Sequence, residues 1–294
     1  MSEVENDHLH LEDSGSVAGS PTLADKDPRF LGSPDARALR ILAEYLEPSS
    51  RLRRCGIHST VVFFGSARIL PKKEAQAQLR DVTRRISKTS AKGKAALKAE
   101  LKAAQRAVEM SRYYEDARTL SRRLTRWSLS LNKDKGWFVI CSGGGSGIME
   151  AANRGAKEAG GKSIGFNISL PDPQPSNQYT TPELNFMFRY FFMRKLWFAQ
   201  PAQALIVFPG GFGTMDELWE IVTLMQTRKL HQNAVILLYG SKFWKKLVNF
   251  RYLIECGTID KHDLSLLQFV DSPDQAFRAL RSSLKKDPVP WTEV

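Results

Sequence analysis

The chemistry available to this sequence is concentrated between Leu205 and Glu220, LIVFPGGFGTMDELWE. Leu205, Ile206, Val207 and Phe208 form a short apolar run of β-formers, and Pro209, which has no N–H to offer a ladder, closes it. Gly210, Gly211 and Gly213 then permit backbone approaches that a Cβ would block. Thr214 suits a helix N-cap, and Glu217 follows three residues later, the spacing of a capping box. Such a strand–turn–helix presents free N–H groups at the positive end of a helix, an anion site suited to phosphate. Asp216, Glu217 and Glu220 bring three carboxylates into the first two turns. Acids there also favour the helix dipole, so the segment reads equally as a capped structural turn.

A second glycine turn, Ser142–Gly147, lies between a strand (Trp137–Cys141) and a helix expected over Ile148–Ala159. Gly144 and Gly145 allow a ligand close to the backbone, and Glu150 sits in the first helical turn. This is not a dinucleotide fingerprint. The third glycine of G-x-G-x-x-G would fall at Ile148, and no acid ends the next strand (Ser163–Leu170) to hold a ribose diol. Ser66 and Arg68 follow a strand at Thr60–Gly65, at the carboxyl end where open parallel sheets bind ligands; a solvated loop arginine is the alternative reading. Arg194 and Lys195 lie within an aromatic segment, 186–200, that reads as one buried or interface helix. A buried arginine there requires an anionic partner, either an internal acid or a substrate phosphate.

Taken whole, Pro209–Glu217 (Pro-Gly-Gly-x-Gly-Thr-x-x-Glu) resembles the signature of the Lonely Guy (LOG) family, nucleoside 5′-monophosphate phosphoribohydrolases also labelled lysine decarboxylases. Phe192-Met193-Arg194-Lys195 is similar to the family's Met-x-x-Arg-Lys element, shifted by a residue or two. Ser142–Glu150 is similar to its Gly-Gly-Gly-x-Gly-x-Met turn. The three come in the family's order over roughly residues 58 to 285.

The resemblance implies hydrolysis of an N-glycosidic bond to free base and ribose 5-phosphate, with Glu217 and Arg194 catalytic. It implies that Gly210, Gly211, Gly213 and Thr214 bind the 5′-phosphate and that Glu220 holds ribose hydroxyls. Ser66, Arg68, Gly144, Gly145, Glu150 and Lys195 become further substrate contacts. It implies no metal and no organic cofactor, and a homodimer or higher homo-oligomer. The base stays open among prenylated adenine, adenine, guanine and pyrimidine, with a lean towards AMP. Two readings from other classes stand beside it: a nucleotide-binding regulator without turnover, and a nucleic-acid-binding protein.

The elements that must position these residues follow from pattern. Strand and helix segments alternate, which predicts an α/β fold, a Rossmann-like doubly wound parallel sheet with a helical insertion. Residues 1–30 carry seven acids against two bases and read as an acidic disordered tail. A helical segment, 31–56, follows, with its helix over 34–48 stopped by Pro48. The nucleotide-binding domain spans 57–286, and 287–294 form a C-terminal tail. Within the domain, 72–110 reads as a basic helical hairpin turning at Ser87–Gly93, its second helix running on towards Leu131; 72–126 carry sixteen bases against six acids. That stretch supplies most of the net charge of +12. With few aromatics before Tyr113 to stack on bases, nucleic acid is an unlikely partner. A loop at Pro171–Pro182 is long enough to act as a lid.

The 294 residues, 42% of them apolar, can bury a sizeable core, and no apolar run is long enough to span a membrane. Three scattered cysteines fit a reducing cytoplasm, and the five histidines show no metal spacing.

Overall fold

Seven short strands form one all-parallel sheet in the order β4-β3-β2-β1-β5-β6-β7. They are β1 Thr60–Phe64, β2 Val139–Ser142, β3 Ser163–Ile168, β4 Asn185–Phe188, β5 Ala202–Val207, β6 Val235–Tyr239 and β7 Leu267–Val270. The helices are α1 Pro28–Gly32, α2 Arg37–Arg54, α3 Lys72–Lys88, α4 Ala91–Leu131, α5 Ile148–Glu158, α6 Phe191–Ala199, α7 Phe212–Gln226, α8 Ser241–Leu247, α9 Phe250–Glu255 and α10 Pro273–Ser283. This computed structural model describes residues 22–88, 91–131, 137–172, 175–230 and 234–284. The disordered tail expected over 1–30 lies outside the described residues except for 22–30, where a short 3-10 turn and the start of α1 appear. The expected tail 287–294 and the centre of the Ser87–Gly93 turn also lie outside them.

The chain divides into two compact units, Met1–Ala43 and Glu44–Val294. In the first, the Asp27 carboxylate caps α1 by accepting the Arg29 N–H, and Arg40 donates to the carbonyls of Leu31 and Ser33. The second holds the sheet. Strands β1 and β5 lie at its centre with every residue buried, which is why they read as continuous apolar runs rather than alternations. Successive side chains still face opposite ways. Phe63 joins the core formed with α4, α5 and α10, while Phe64 stacks edge-on against Phe198 of α6 at 4.9 Å.

Several boundaries depart from the sequence expectation. Residues 186–200 are not one helix. They open as edge strand β4, which pairs with β3, and only then form α6. Phe186 and Phe188 of β4 pack on Phe166, while Met187 between them is exposed. The helix expected over Phe243–Ile254 breaks into α8 and α9, the second capped by the Asn249 side chain. The inserted hairpin does form, and α4 runs from the insert through to Leu131 as a single crossover helix. Val82 and Ala104 are buried between α3 and α4, and Arg85 forks onto Glu100 at 2.5 and 3.1 Å.

Pro48 does not stop α2, which continues to Arg54. A proline at that position leaves the Glu44 carbonyl without its intrahelical donor. The indole Nε1–H of Trp197 supplies one instead, at 2.9 Å. The Glu44 carboxylate meanwhile accepts the backbone N–H groups of Arg189 and Tyr190 at 2.6 and 3.2 Å. Tyr190 is the N-cap of α6 and has no side-chain cap of its own. One residue of α2 therefore holds α6 at two points. Replacing Glu44 with Ala removes a charged cap worth about 1–2 kcal/mol. A drop in Tm of a few degrees is expected in thermal unfolding followed by circular dichroism; an unchanged Tm would show that α6 does not depend on this cap.

Candidate active site

The strand order reverses direction across β1 and β5, and the loops leaving their carboxyl ends face each other there, the position at which open parallel sheets bind ligands. The Ser66 N–H donates to the Pro209 carbonyl at 3.1 Å and ties the two exits together. A cleft of about 260 Å³ opens at this point. Phe64, Gly65, Ser66, Ala67 and Arg68 line it from β1, Gly143 and Met149 from the β2–α5 turn, and Arg194 and Phe198 from α6. Gly211, Gly213, Thr214 and Glu217 line it from the β5–α7 turn.

Two glycine-permitted geometries bring these loops so close. At Gly147 φ is +65°, and a Cβ would stand 2.3 Å from the Ser66 carbonyl oxygen. The β2–α5 turn therefore packs directly on the β1 exit, where the Ile148 N–H bonds the Ser66 carbonyl at 3.2 Å. At Gly210 a Cβ would collide with the Thr214 hydroxyl at 2.1 Å. Helix α7 starts two residues later, at Phe212, with Gly211 as its N-cap and no side-chain cap. Thr214 is thus at the third helical position, and the capping box expected from its spacing to Glu217 is not formed. The first backbone N–H groups of α7 have no intrahelical acceptor, and they end at the cleft.

Glu217 stands one turn inside α7 and is 4% exposed. Its Oε1 accepts from the Arg194 guanidinium at 3.1 Å and its Oε2 from the Lys195 ammonium at 3.4 Å. Burial pushes the Glu217 carboxyl above the ordinary glutamate range, and the charges of Arg194 and Lys195 pull back without cancelling the shift. Arg194 lies against the rings of Phe191 and Phe198 and keeps a buried Nε with no partner among the described residues. Lys195 reaches Asp216 and Glu220 as well, each at 2.8 Å. Burial lowers the Lys195 ammonium, but these hydrogen bonds and the nearby carboxylate charges outweigh it and leave it raised.

The cleft brings together Ser66, Arg68, Arg194, Gly211, Gly213, Thr214 and Glu217. Gly210 shapes it through Thr214. Lys195 and Glu220 pair with each other at its edge and are not among the lining residues. Glu150 points elsewhere: its carboxylate accepts the Tyr114 hydroxyl of α4 at 2.6 Å. The carbonyls of Gly144 and Gly145 face Asn177, on the loop after β3. From Asn177 to Pro182 that loop is anchored, with Thr181 exchanging hydrogen bonds with Ser163, so this half is not a free lid. The sequence reading missed Phe64, Phe198, Gly143 and Met149 as lining residues; only their places beside the motifs could have signalled them. It also missed Asn153 and Asn167, polar residues set in otherwise small-residue or apolar stretches, and Asn177, which lies in the loop read only as a lid. Among the described residues no group of three metal-ligating side chains occurs, and no helix is long and apolar enough to cross a membrane.

Residues 149–280 match the family model described as "Possible lysine decarboxylase". The probable cytokinin riboside 5′-monophosphate phosphoribohydrolase LOGL5 of Oryza sativa subsp. japonica is 29% identical over 117 residues, 40% of this chain and 47% of that protein. The probable enzyme of the same name, LOG4 of the same plant, is 27% identical over 143 residues, 48% of this chain and 61% of that protein. Over these stretches the chain is similar to LOG proteins. It spans about half the length of the first curated relatives it matches. Among solved structures, the molybdenum cofactor carrier protein of Chlamydomonas reinhardtii aligns over 76% of this chain and 97% of its own at 16% identity, with a TM-score of 0.40, too low to bear on function.

The raised carboxyl of Glu217 gives the site a pH signature. A folded-state pKa above the unfolded one means that the fold favours the protonated acid. That contribution is complete at low pH and is lost as pH rises through the folded pKa. The Glu217→Gln protein is expected to match or exceed the wild-type Tm at pH 8, with a smaller or no advantage at pH 5. A Tm loss that grows from pH 5 to pH 8 would mean that the ionised Glu217 pair stabilises the fold.

Proposed function

We propose that this LOG-like chain is a hydrolase that cleaves the N-glycosidic bond of a nucleoside 5′-monophosphate, releasing the base and ribose 5-phosphate. The observation that carries the reading is the buried Glu217 carboxylate, held by Arg194 one helical turn beyond an anion-type glycine turn, in the same cleft. The N-terminal N–H groups of α7 and the Thr214 hydroxyl take the 5′-phosphate. This leaves the sugar over Glu217.

As the bond from C1′ to the base nitrogen breaks, its electron pair goes to the base, which is protonated, and positive charge builds on the sugar ring. The fixed carboxylate of Glu217 stabilises that charge. It also accepts a proton from the water whose oxygen bonds to C1′. Burial that raises the carboxyl strengthens it as a base. Arg194 fixes the orientation of Glu217, and its unpartnered Nε is a donor available to the substrate.

A pyridoxal-type decarboxylase does not fit the lysine at this site. Schiff-base chemistry needs an amine with a depressed pKa, whereas Lys195 is raised and bonded to three carboxylates. The proposal extends to a homodimer: Phe212, 89% exposed between two cleft-lining glycines, and the half-exposed Phe191 and Phe192 offer an apolar rim for a second copy to cover.

Purified protein incubated with AMP, GMP, CMP, UMP and isopentenyl-AMP is expected to release free base from at least one of them, read by chromatography. Glu217→Gln should slow release by about a thousandfold, with an acid limb in the wild-type kcat/KM profile above the ordinary glutamate range. Nucleotide binding without base release in the wild type would replace the hydrolase with a nucleotide sensor.

A further inference from the structure

We propose that Asn177, on the loop after β3, is the positioning residue that sets the glycine turn Ser142–Gly147 in place against the cleft. The inference rests on the reading of the cleft as a nucleotide site.

Every polar atom of Asn177 able to reach the turn is committed to it. Its backbone N–H donates to the Gly144 carbonyl at 2.8 Å. Its Nδ2 donates to the carbonyls of Gly144 and Gly145 at 3.0 and 2.9 Å and to Oδ1 of Asn153 at 2.9 Å. On the other side of the amide, Oδ1 accepts the Tyr179 N–H at 3.1 Å. The amide orientation follows from these partners: turned over, its oxygen would face three other oxygens.

Asn153, fully buried on α5, carries the contact onward. Its Oδ1 also accepts the Ser142 hydroxyl at 2.7 Å, and its Nδ2 donates to the Ile164 carbonyl of β3 at 3.2 Å. Ser142 Oγ in turn accepts the Gly144 N–H at 3.1 Å. A second strap lies one residue away, where the Ser176 hydroxyl donates to Oδ1 of Asn167 at 3.0 Å.

Three consecutive glycines have no side chains to hold their own conformation, and ordering each costs about 1–2 kcal/mol of backbone entropy. The Asn177 bonds offset that cost at the two peptides that need it. In a trans peptide C=O and N–H point opposite ways. Turning the Gly144 and Gly145 carbonyls to Asn177 therefore turns the N–H groups of Gly145 and Ser146 away from it. Gly143 in this turn and Met149 just after it line the cleft, whereas Thr214 and Glu217 come from α7. Loosening the turn shifts a binding wall and leaves the Glu217–Arg194 pair in place. The consequence is a loss of substrate binding with the chemical step intact.

The test compares wild type with Asn177→Asp and Asn177→Ala. The aspartate keeps the size and the Tyr179 contact but sets an oxygen against three oxygens. Expected for both is a tenfold or greater rise in KM for AMP, or for whichever mononucleotide the wild type hydrolyses best. The kcat should stay within about threefold, and the Kd for the same nucleotide by calorimetry should rise in parallel. Should either variant fail to fold, Ser176→Ala, which cuts only the second strap, is expected to move KM in the same direction by a smaller factor. A KM and Kd equal to wild type, with or without a lower Tm, would overturn the proposal, as would a fall in kcat at constant KM. Wild-type binding without hydrolysis would defeat the hydrolase reading and leave Asn177 to be judged on Kd alone. A wild type that neither binds nor hydrolyses any mononucleotide would overturn both.

Discussion

A carboxylate buried in a cleft is the constraint around which this molecule is arranged. Left alone, Glu217 would neutralise. Arg194 and Lys195 oppose that from α6, and Lys195 is itself steadied by Asp216 and Glu220 from α7. This cluster of ion pairs forms only if α6 and α7 keep their register. Helix α7 is fixed by following β5 after only four residues, Phe208–Gly211. Helix α6 is short, nine residues, and has no cap in its own sequence. Its position therefore depends on Glu44, whose carboxylate caps its start and whose carbonyl, freed by Pro48, takes the Trp197 indole. A proline that looks like a helix stop thus creates the acceptor that anchors the helix carrying the cations.

The sheet supplies the second requirement, a crevice that presents backbone rather than side chains. Because β1 and β5 are adjacent and their onward connections diverge, their exit loops leave a crevice. The Ser66–Pro209 bond and the glycine at 147 keep that crevice narrow. Aromatic packing fills both sides beneath it, with Phe63 on Phe208 in one layer and Phe64 on Phe198 in the other. The same pair of neighbours in sequence therefore serves the core on one face and the cleft wall on the other.

What the sequence made legible was local. The strand-then-glycine turns, the alternation that implies a parallel sheet and the inserted hairpin could be read from residue types and spacing, whereas the joint role of Arg194 and Glu217 came only from the family resemblance. The failures share one physical cause, a partner distant along the chain. An all-round aromatic run cannot reveal that its start, within Asn185–Phe188, pairs with β3 as a strand. Pro48 cannot announce that Trp197 compensates it. Glu150 has the position of a ligand contact in its motif, yet Tyr114 of the inserted α4 claims it. Thr214 is a local exception: it has the spacing of an N-cap, but α7 starts earlier, with Gly211, three residues before it, as the N-cap. The asparagine network behind the second glycine turn was invisible because its partners are distant too: its members lie on α5, on β3 and in the loop after β3.

The most direct measurement is a crystal structure of the protein with ribose 5-phosphate bound. If Glu217 is the catalytic carboxylate, the phosphate should lie at the start of α7, within hydrogen-bond distance of the Gly213 and Thr214 N–H groups, with C1 of the sugar facing Glu217. A phosphate bound anywhere else, or a sugar whose C1 faces away from Glu217, would contradict the catalytic role assigned to this cleft.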